Sequence, residues 1–132
     1  MLATTGACLL RPKAIDFIVY GVTDLDASVA FYRDILGLPV DDWTGRGNWA
    51  EIPIIPVTLC LTTVHRYASP GAAGATLGIA VDDVDASTEE LRAKGVAVVV
   101  EPFEAGSCRM AQIADPDDNR LWLHRRNDGT FG

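Results

Sequence analysis

The alternation of apolar and polar side chains predicts short strands along most of the chain, and apolar residues at helical spacing predict two helices. In the first half, alternation over residues 14–22 predicts a strand. Asp24 then offers an N-cap for a helix over residues 25–36, which ends at Gly37. Three further strands are predicted over residues 38–43, 48–54 and 57–64.

The second half of the chain has the same predicted order of a strand, a helix and three strands. Asp83 offers the N-cap of the second helix, over residues 84–94. The strands are predicted over residues 75–81, 97–101, 109–114 and 120–125. The connecting segments are a loop at residues 102–107 (PFEAGS), a turn at residues 115–119 (DPDDN) and a small, flexible linker at residues 65–74.

A repeated motif relates the two halves. Residues 22–28 have the sequence VTDLDAS, and VDDVDAS begins 59 residues later at Val81, with five of seven positions identical. The alternative is a chance likeness between two generic strand and helix units, but the matching flanks argue against it. Two copies are too few for a solenoid, so we expect one domain made of paired modules.

Each predicted helix must cover one face of its sheet, so the purely apolar side of the strands is expected to face the helices. These inward residues are Leu59, Leu61, Leu77, Ile79, Leu121 and Leu123. The opposite face is mixed in character, which favours a concave pocket. It holds Phe17, Thr58, Cys60, Thr62, Thr76, Gly78, Arg120, Trp122 and His124, with Trp49 and Glu51 if their strand turns the same way. A register shift of one residue would exchange the two faces.

Length and composition indicate a single globular domain of 132 residues, 48% hydrophobic and 22% charged. The net charge of -7 argues against nucleic acid or an anionic membrane as a partner, because both attract clusters of Lys and Arg. A neutral or cationic small molecule is favoured. An acidic surface that only keeps the protein soluble is the alternative.

The cysteines and the termini bear on the cellular compartment. Cys8, Cys60 and Cys108 have neither CxxC spacing nor an even number, so we expect reduced thiols in a cytoplasmic protein. The opening residues lack the basic leader of a signal peptide, and no run approaches the ~18 apolar residues of a spanning helix. Residues 1–13 are expected to be a loosely held arm, and residues 126–132 a polar tail.

Three segments resemble the vicinal oxygen chelate superfamily, which includes glyoxalase I, extradiol dioxygenases, and fosfomycin and bleomycin resistance proteins. They are IDFIVYGVTDLDASVAFYRDILGLPV, ATLGIAVDDVDASTEELRAKGV and IADPDDNRLWLHRR. The D-P-D-x-N of the third segment, followed by a strand, is the most specific feature. The resemblance implies an α+β fold with two βαβββ modules, residues 14–64 and 75–125, that form a half-open eight-stranded barrel in one domain of residues 14–125. It also implies a homodimer, because short members of the superfamily commonly complete their cups across a dimer interface.

The resemblance further implies where a metal ion would bind. Superfamily members with metal chemistry hold one divalent ion with His or Glu side chains on the first and last strand of each module. The corresponding positions here hold Phe17, Cys60, Thr76 and Trp122. A catalytic metal site needs about three protein ligands, and Phe and Trp donate none. We therefore expect no metal and no other cofactor, with ligands recruited from elsewhere in the chain as the alternative.

An aromatic cup without metal favours a small-molecule-binding protein similar to bleomycin resistance proteins. It would sequester an amphipathic aromatic compound, in particular a cationic one, by stacking and cation–π contact. The same aromatic residues are also typical of ordinary core packing. Two alternatives stay open: a glyoxalase-like lyase or dioxygenase-type enzyme, and a scaffold with an empty cup. The candidate ligand-binding residues are Phe17, Trp43, Trp49, Cys60, Thr76, Trp122 and His124.

The sequence leaves open whether the chain is an enzyme. His124 is the candidate catalytic residue, because histidine exchanges a proton near neutral pH and this one shares the mixed face with Trp122. A solvent-exposed side chain at a strand end is the alternative. Glu51 is the next candidate acid or base. Cys60 as a nucleophile would need a nearby base, and a small apolar filler is its alternative role.

Overall fold

The computed structural model describes residues 11, 15–41 and 47–131. These residues form an α+β fold in which strands predominate. No helix among them is long and apolar enough to cross a membrane. The elements are β1 (Phe17–Gly21), α1 (Leu25–Ala30), a π-helical turn (Phe31–Ile35), β2 (Trp49–Ile54), β3 (Val57–Thr62), β4 (Leu77–Ala80), α2 (Val84–Ala93), β5 (Ala97–Glu104), β6 (Cys108–Ala114) and β7 (Arg120–Arg126).

The strands form two separate sheets, one from each half of the chain. In the first sheet β3 lies between β1, to which it is parallel, and β2, to which it is antiparallel. The second sheet has the order β4-β7-β6-β5, with β4 and β7 parallel and the other pairs antiparallel. In both sheets the first strand of the half therefore pairs with the last strand of that half.

Both helices begin at the aspartate that the repeated motif places third. The carboxylate of Asp24 accepts a hydrogen bond from Ala27 N (3.1 Å), and that of Asp83 accepts one from Ala86 N (3.0 Å). Both aspartates have extended backbones, as N-cap residues do. The predicted caps are thus confirmed.

The two helical segments differ in length by one residue. Thirteen positions separate Asp24 from Gly37, and twelve separate Asp83 from Gly95. The first segment accommodates the extra residue as the π-helical turn after α1, where Leu36 N donates to Phe31 O (3.0 Å). Wide turns of this kind are how a helix absorbs an additional residue.

One hydrophobic core contains side chains from both sheets and both helices. The predicted inward face is confirmed, since Leu59, Leu61, Leu121 and Leu123 are buried. Leu77 and Ile79 are partly buried and pack at its margin. Other core residues are Val22, Leu25, Val29, Phe31, Leu91, Val96, Ala111 and Ile113.

Several predicted strand boundaries are wrong. Residues 38–41 are irregular although a strand was expected over 38–43, and residues 42 and 43 lie outside the described part of the chain. Pro39 has no N–H to donate to a neighbouring strand. The main-chain bond from Asp41 N to Glu51 O (3.2 Å) does not extend into a ladder. The described residues therefore contain seven strands, compared with the eight expected.

The predicted loop at residues 102–107 is also partly wrong, because β5 continues through Pro102 to Glu104. This strand lies at the edge of its sheet and has irregular register after Val98 and Val100. Proline is tolerated at such edges and bulges. At their N-terminal ends, β1 and β4 begin later than predicted, so that Thr76 lies just before β4.

The Asp115 carboxylate joins the two halves. It accepts hydrogen bonds from the Tyr32 hydroxyl (2.9 Å) and from the backbone nitrogens of Asp117 (2.9 Å) and Asn119 (2.8 Å). Burial and the negative charge of Asp115 raise the pKa of Tyr32, so that its hydroxyl keeps the proton it donates. The Asn119 side chain extends the network, donating to Gly21 O (2.8 Å).

A second buried hydroxyl connects the sheets directly. Tyr20 on β1 donates to Arg120 O on β7 (2.8 Å) and accepts a hydrogen bond from Leu77 N on β4 (2.6 Å). Burial raises the pKa of Tyr20, which keeps this hydroxyl neutral. The contact fixes the spacing between the two halves at their apolar faces.

The linker between the halves crosses the end of the first sheet. A Cβ atom added to Gly21 would meet backbone atoms of Ala68, Ser69 and Pro70, with Ser69 C at 2.6 Å. The linker is also held by His65 Nε2, which donates to Val22 O (2.8 Å), and by Gly71 N, which donates to Asn119 Oδ1 (3.1 Å). It therefore has a defined path over β1.

We predict that Tyr32→Phe lowers the free energy of unfolding by about 2 kcal/mol, because the Asp115 carboxylate loses a hydrogen bond that no water replaces. Urea denaturation would measure the loss. Tyr67→Phe is the matched control: its ring is exposed, and we expect a change below ~0.5 kcal/mol. Equal effects of the two substitutions would contradict the role given to Asp115.

Gly21→Ala is expected to destabilise the protein by about 2 kcal/mol or more, since the linker backbone would have to move away from β1. Thermal unfolding is the measurement. Gly78→Ala, in the equivalent first strand of the second sheet, is the control, because a Cβ there meets nothing within 4 Å. Unchanged stability of the Gly21 variant would show that the linker does not pack as described.

Candidate functional site

The strand register places predicted site residues at equivalent positions of the two sheets. Val19 on β1 pairs with Cys60 on β3, and Gly78 on β4 pairs with Trp122 on β7. Val19 and Gly78 are separated by the 59-residue offset of the repeat. Cys60 and Trp122 therefore occupy the same place in their sheets, on the face away from the helices.

On the first sheet, Cys60 lies in the centre of this face. It pairs with Val19 on one side and with Glu51 on the other. Phe17 is at the start of β1 and is 51% exposed. Trp49 is on the same side of β2 as Glu51, and its Nε1 donates to Glu51 Oε2 (3.0 Å). Three of the predicted residues, Phe17, Trp49 and Cys60, thus share one face with Glu51.

The Cys60 thiol is neutral at physiological pH. Its side chain is only 2% exposed, and burial raises the pKa of the thiol to about 11, with the negative charges of Glu51 and Asp16 acting in the same direction. A protonated thiol is neither a good nucleophile nor a good metal ligand. The position is therefore suited to a small uncharged filler.

On the second sheet, the corresponding face has a second aromatic pair. Trp122 is half-buried and contacts Phe103 of β5 edge to face, with ring centroids 6.2 Å apart at 69°. Gln112 lies beside Trp122 on β6. His124 follows on the same face, between Met110 and Ala80. Trp122 and His124 are thus brought together, as predicted, on a face that also includes Phe103.

The linker adds an aromatic wall to the first sheet. The rings of Trp49 and Tyr67 are perpendicular, with centroids 6.3 Å apart, and the Arg66 guanidinium lies 5.3 Å from the centroid of Tyr67. Tyr67 was not among the predicted residues. Its position depends on the path of the linker over Gly21, which no periodic pattern in the sequence reveals.

One predicted residue lies outside the strands that form these faces. Thr76 is exposed and lies just before β4. Trp43 lies outside the described residues. Phe103 was missed because Pro102 indicated a loop, although an aromatic residue beside a proline on an edge strand could have suggested its position. Within one chain, the two aromatic faces belong to separate sheets.

The donor groups at the four superfamily metal positions do not fit a divalent ion. Phe17 and Trp122 have no donor atom, Cys60 carries a neutral thiol, and Thr76 offers only a hydroxyl. Nowhere in residues 15–41 or 47–131 do three His, Cys, Asp or Glu side chains come close enough to hold an ion. No step of a reaction can be derived through a metal held at these positions.

Two cavities lie outside the central positions of the aromatic faces. One, of about 740 Å³, is found at the ends of β4 and β7 beside the first turn of α2, and includes His124, Asp82 and Asp83. The other, of about 430 Å³, lies between the halves and has an entirely apolar lining that includes Ile18, Leu59 and Phe131. Neither includes Cys60 or Trp122.

The sequence of this chain matches the family model of the Glyoxalase/Bleomycin resistance protein/Dioxygenase superfamily over residues 14–123. The chain belongs to this superfamily. The match confirms the resemblance drawn from the three sequence segments, and solved members of the superfamily share the α+β fold.

Individual relatives have different functions. A probable lactoylglutathione lyase from Synechocystis is 32% identical over 116 residues, which cover 77% of this chain and 87% of the relative. The lactoylglutathione lyase of Haemophilus influenzae is 32% identical over 114 residues, covering 76% and 83%. Among solved structures, TnmS3, an antibiotic binding protein from a Streptomyces species, is 25% identical, covers 89% of this chain and 99% of its own, and has a TM-score of 0.74.

We predict an apparent pKa of about 11 for Cys60, measured from the pH dependence of its alkylation in a variant with Cys8→Ser and Cys108→Ser. Adding Glu51→Gln should lower this pKa, because a neighbouring negative charge no longer opposes the thiolate. Glu89→Gln, on the exposed side of α2, should leave it unchanged. A pKa near the ~8.5 of a free cysteine would contradict the burial described here.

Proposed function

We propose that this chain is a metal-independent small-molecule-binding protein that sequesters an amphipathic aromatic compound. The strand register is the observation that carries the proposal. It puts Cys60 and Trp122 at equivalent central positions, with aromatic neighbours and without a set of metal donors. The antibiotic-binding function of TnmS3 supports a binding role within this fold.

The aromatic faces have surface available for a ligand. Phe17 is 51% exposed and Phe103 is 38% exposed, so part of each ring is left uncovered by its own chain. Covering such a side chain contributes about 1.5 to 3 kcal/mol. A planar ligand that stacks well gains about 1 kcal/mol more for each aromatic pair. Trp122, Trp49 and Tyr67 extend this surface.

The proposal includes a homodimer. One chain offers each aromatic face as a single wall, and a cup needs two. A second copy would place the first sheet of one chain opposite the second sheet of its partner. The ligand would then contact Phe17 and Glu51 on one wall and Trp122 and Phe103 on the other. A reducing, cytoplasmic environment is part of the proposal and agrees with the free Cys60 and Cys108.

The lyase relatives favour a second candidate, a glyoxalase-like lyase. A dioxygenase-type enzyme of the same superfamily would face the same requirement, because both need a base or metal ligands from outside the four usual positions. His124 is the available base on the second sheet. Its neighbours across the strands are Met110 and Ala80, and neither of these can orient an imidazole ring by hydrogen bonding.

We expect the purified protein to contain much less than one metal ion per chain by elemental analysis, and to be stabilised by polycyclic aromatic compounds but not by divalent ions. A ligand at a hundredfold excess over its dissociation constant stabilises by about 2.7 kcal/mol. Trp122→Ala should abolish the thermal shift. Phe131→Ala removes an exposed ring outside the aromatic faces and should leave it intact.

Three outcomes would count against this function. A stoichiometric metal together with lactoylglutathione lyase activity would establish the enzyme in its place. A thermal shift lost in Phe131→Ala but kept in Trp122→Ala would move the ligand to one of the two cavities that Phe131 lines. The absence of any response to aromatic compounds would leave the scaffold interpretation.

A further inference from the structure

Glu51 carries a negative charge on the aromatic face of the first sheet, and no cationic side chain in the described part of the chain pairs with it. In residues 15–41 and 47–131 no Lys, Arg or His forms an ion pair with its carboxylate. Its side-chain hydrogen bond comes from Trp49 Nε1 to Oε2. The other oxygen, Oε1, is left for a further donor. A half-buried carboxylate held by one neutral donor favours a positively charged partner.

The surroundings of Glu51 favour positive charge as well. Trp49, which holds the carboxylate, stands perpendicular to Tyr67, and the Arg66 guanidinium already rests near the Tyr67 ring. The wall therefore contains electron-rich ring surface of the kind that binds cations. Asp16 contributes a second negative charge near Cys60, acting on the thiol in the same direction as Glu51.

The equivalent position of the second sheet shows that the fold does not require this charge. Gln112 pairs with Trp122 just as Glu51 pairs with Cys60. Its Oε1 accepts a hydrogen bond from Arg120 (3.2 Å), and Arg120 is itself paired with Asp118 (3.0 Å). A neutral amide thus serves at the same place in the second sheet. The two sheets therefore differ at this position, and the charge of Glu51 is not matched by a cation among the described residues, which points to a ligand.

We infer that Glu51, together with the wall of Trp49 and Tyr67, determines specificity by binding a protonated nitrogen of the ligand. The inference rests on the proposed function and narrows it. The ligand class is a planar aromatic compound that bears an amine or amidinium cation, and aromatic carboxylates are rejected. Trp49 holds the carboxylate in place before the ligand arrives, which reduces the ordering required on binding.

The net charge of the protein acts in the same direction over longer distances. A charge of -7 attracts cations of any shape, so a simple preference for cations would not by itself identify Glu51. Long-range attraction is screened within about 10 Å at ordinary salt, whereas a contact between Glu51 and a covered nitrogen is screened much less. The preference at high salt is therefore the informative quantity.

The test uses three tricyclic probes of similar size: 9-aminoacridine, which is cationic at neutral pH, acridone, which is neutral, and acridine-9-carboxylate, which is anionic. Isothermal titration at low and high salt gives the dissociation constants for the wild type, Glu51→Gln and Glu89→Gln. Glutamine keeps an oxygen for Trp49 Nε1 and removes the charge. Glu89→Gln makes the same change in net charge on α2, where that side chain is 71% exposed.

We expect the wild type to bind 9-aminoacridine about fivefold or more tightly than acridone, and to bind acridine-9-carboxylate more weakly than either. Glu51→Gln should remove most of this preference while leaving the acridone affinity nearly unchanged. Glu89→Gln should retain the preference for 9-aminoacridine over acridone at high salt. Glu51→Asp retains the charge on a shorter side chain and should keep part of the preference. It tests the role of the charge independently if the glutamine variant fails to fold.

The outcomes separate this inference from the proposed function. Equal binding of all three probes that still depends on Trp122 would overturn the role of Glu51 and leave the binding function in place. A preference for the cation that survives in Glu51→Gln would overturn it too, and would assign the preference to the overall charge. Binding of none of the probes by the folded wild type would overturn both.

Discussion

The buried carboxylate of Asp115 is the constraint on which the rest of the structure depends. A charge in this position is tolerable only because hydroxyl and backbone donors surround it, one of them from the opposite half of the chain. Each half is a small sheet with a single covering helix, and such a unit buries too little apolar surface to stand alone. The turn that contains Asp115 makes the two units into one core.

The same constraint determines what the molecule presents to its surroundings. Because the helix-covered faces are turned toward the shared core, the opposite faces lie outside it, and Phe17 and Phe103 on them are exposed in part. These faces carry aromatic side chains and, on the first sheet, the Glu51 carboxylate, which Trp49 holds and which pairs with no cation in the part of the chain that the structure describes. This chain keeps the fold of its superfamily, while Phe17, Cys60, Thr76 and Trp122 stand at the four positions that the resemblance assigns to metal ligands.

Much of this architecture could be predicted from the sequence, because it depends on short-range patterns. The aspartates that cap the helices, the inward leucines of β3 and β7 and the offset of the repeat all follow from periodicity and local hydrogen bonding.

Phe103 and Tyr67 could not be predicted in the same way. The first depends on an edge strand that continues through Pro102, and the second on a linker whose path is set by the lack of a side chain at Gly21. The sequence also indicated a strand over residues 38–43, but in residues 38–41 the apolar side chains pack against the core without forming a ladder. The candidate site was thus predicted where it lies on regular strands and missed where it is built from connections.

The π-helical turn after α1 gives the two repeats different parts in the contact between the halves. The helical segment of the first copy is one residue longer than its counterpart, and the widened turn that accommodates this residue contains Tyr32, the donor to Asp115 from the other half. The second copy has no such turn, and the turn that carries Asp115 belongs to that copy. The two repeats are therefore complementary: the first supplies the Tyr32 hydroxyl as donor, and the second supplies the Asp115 carboxylate as acceptor. A chain assembled from two second copies would lack the widened turn that contains Tyr32, so its halves would meet without this hydroxyl donor to Asp115.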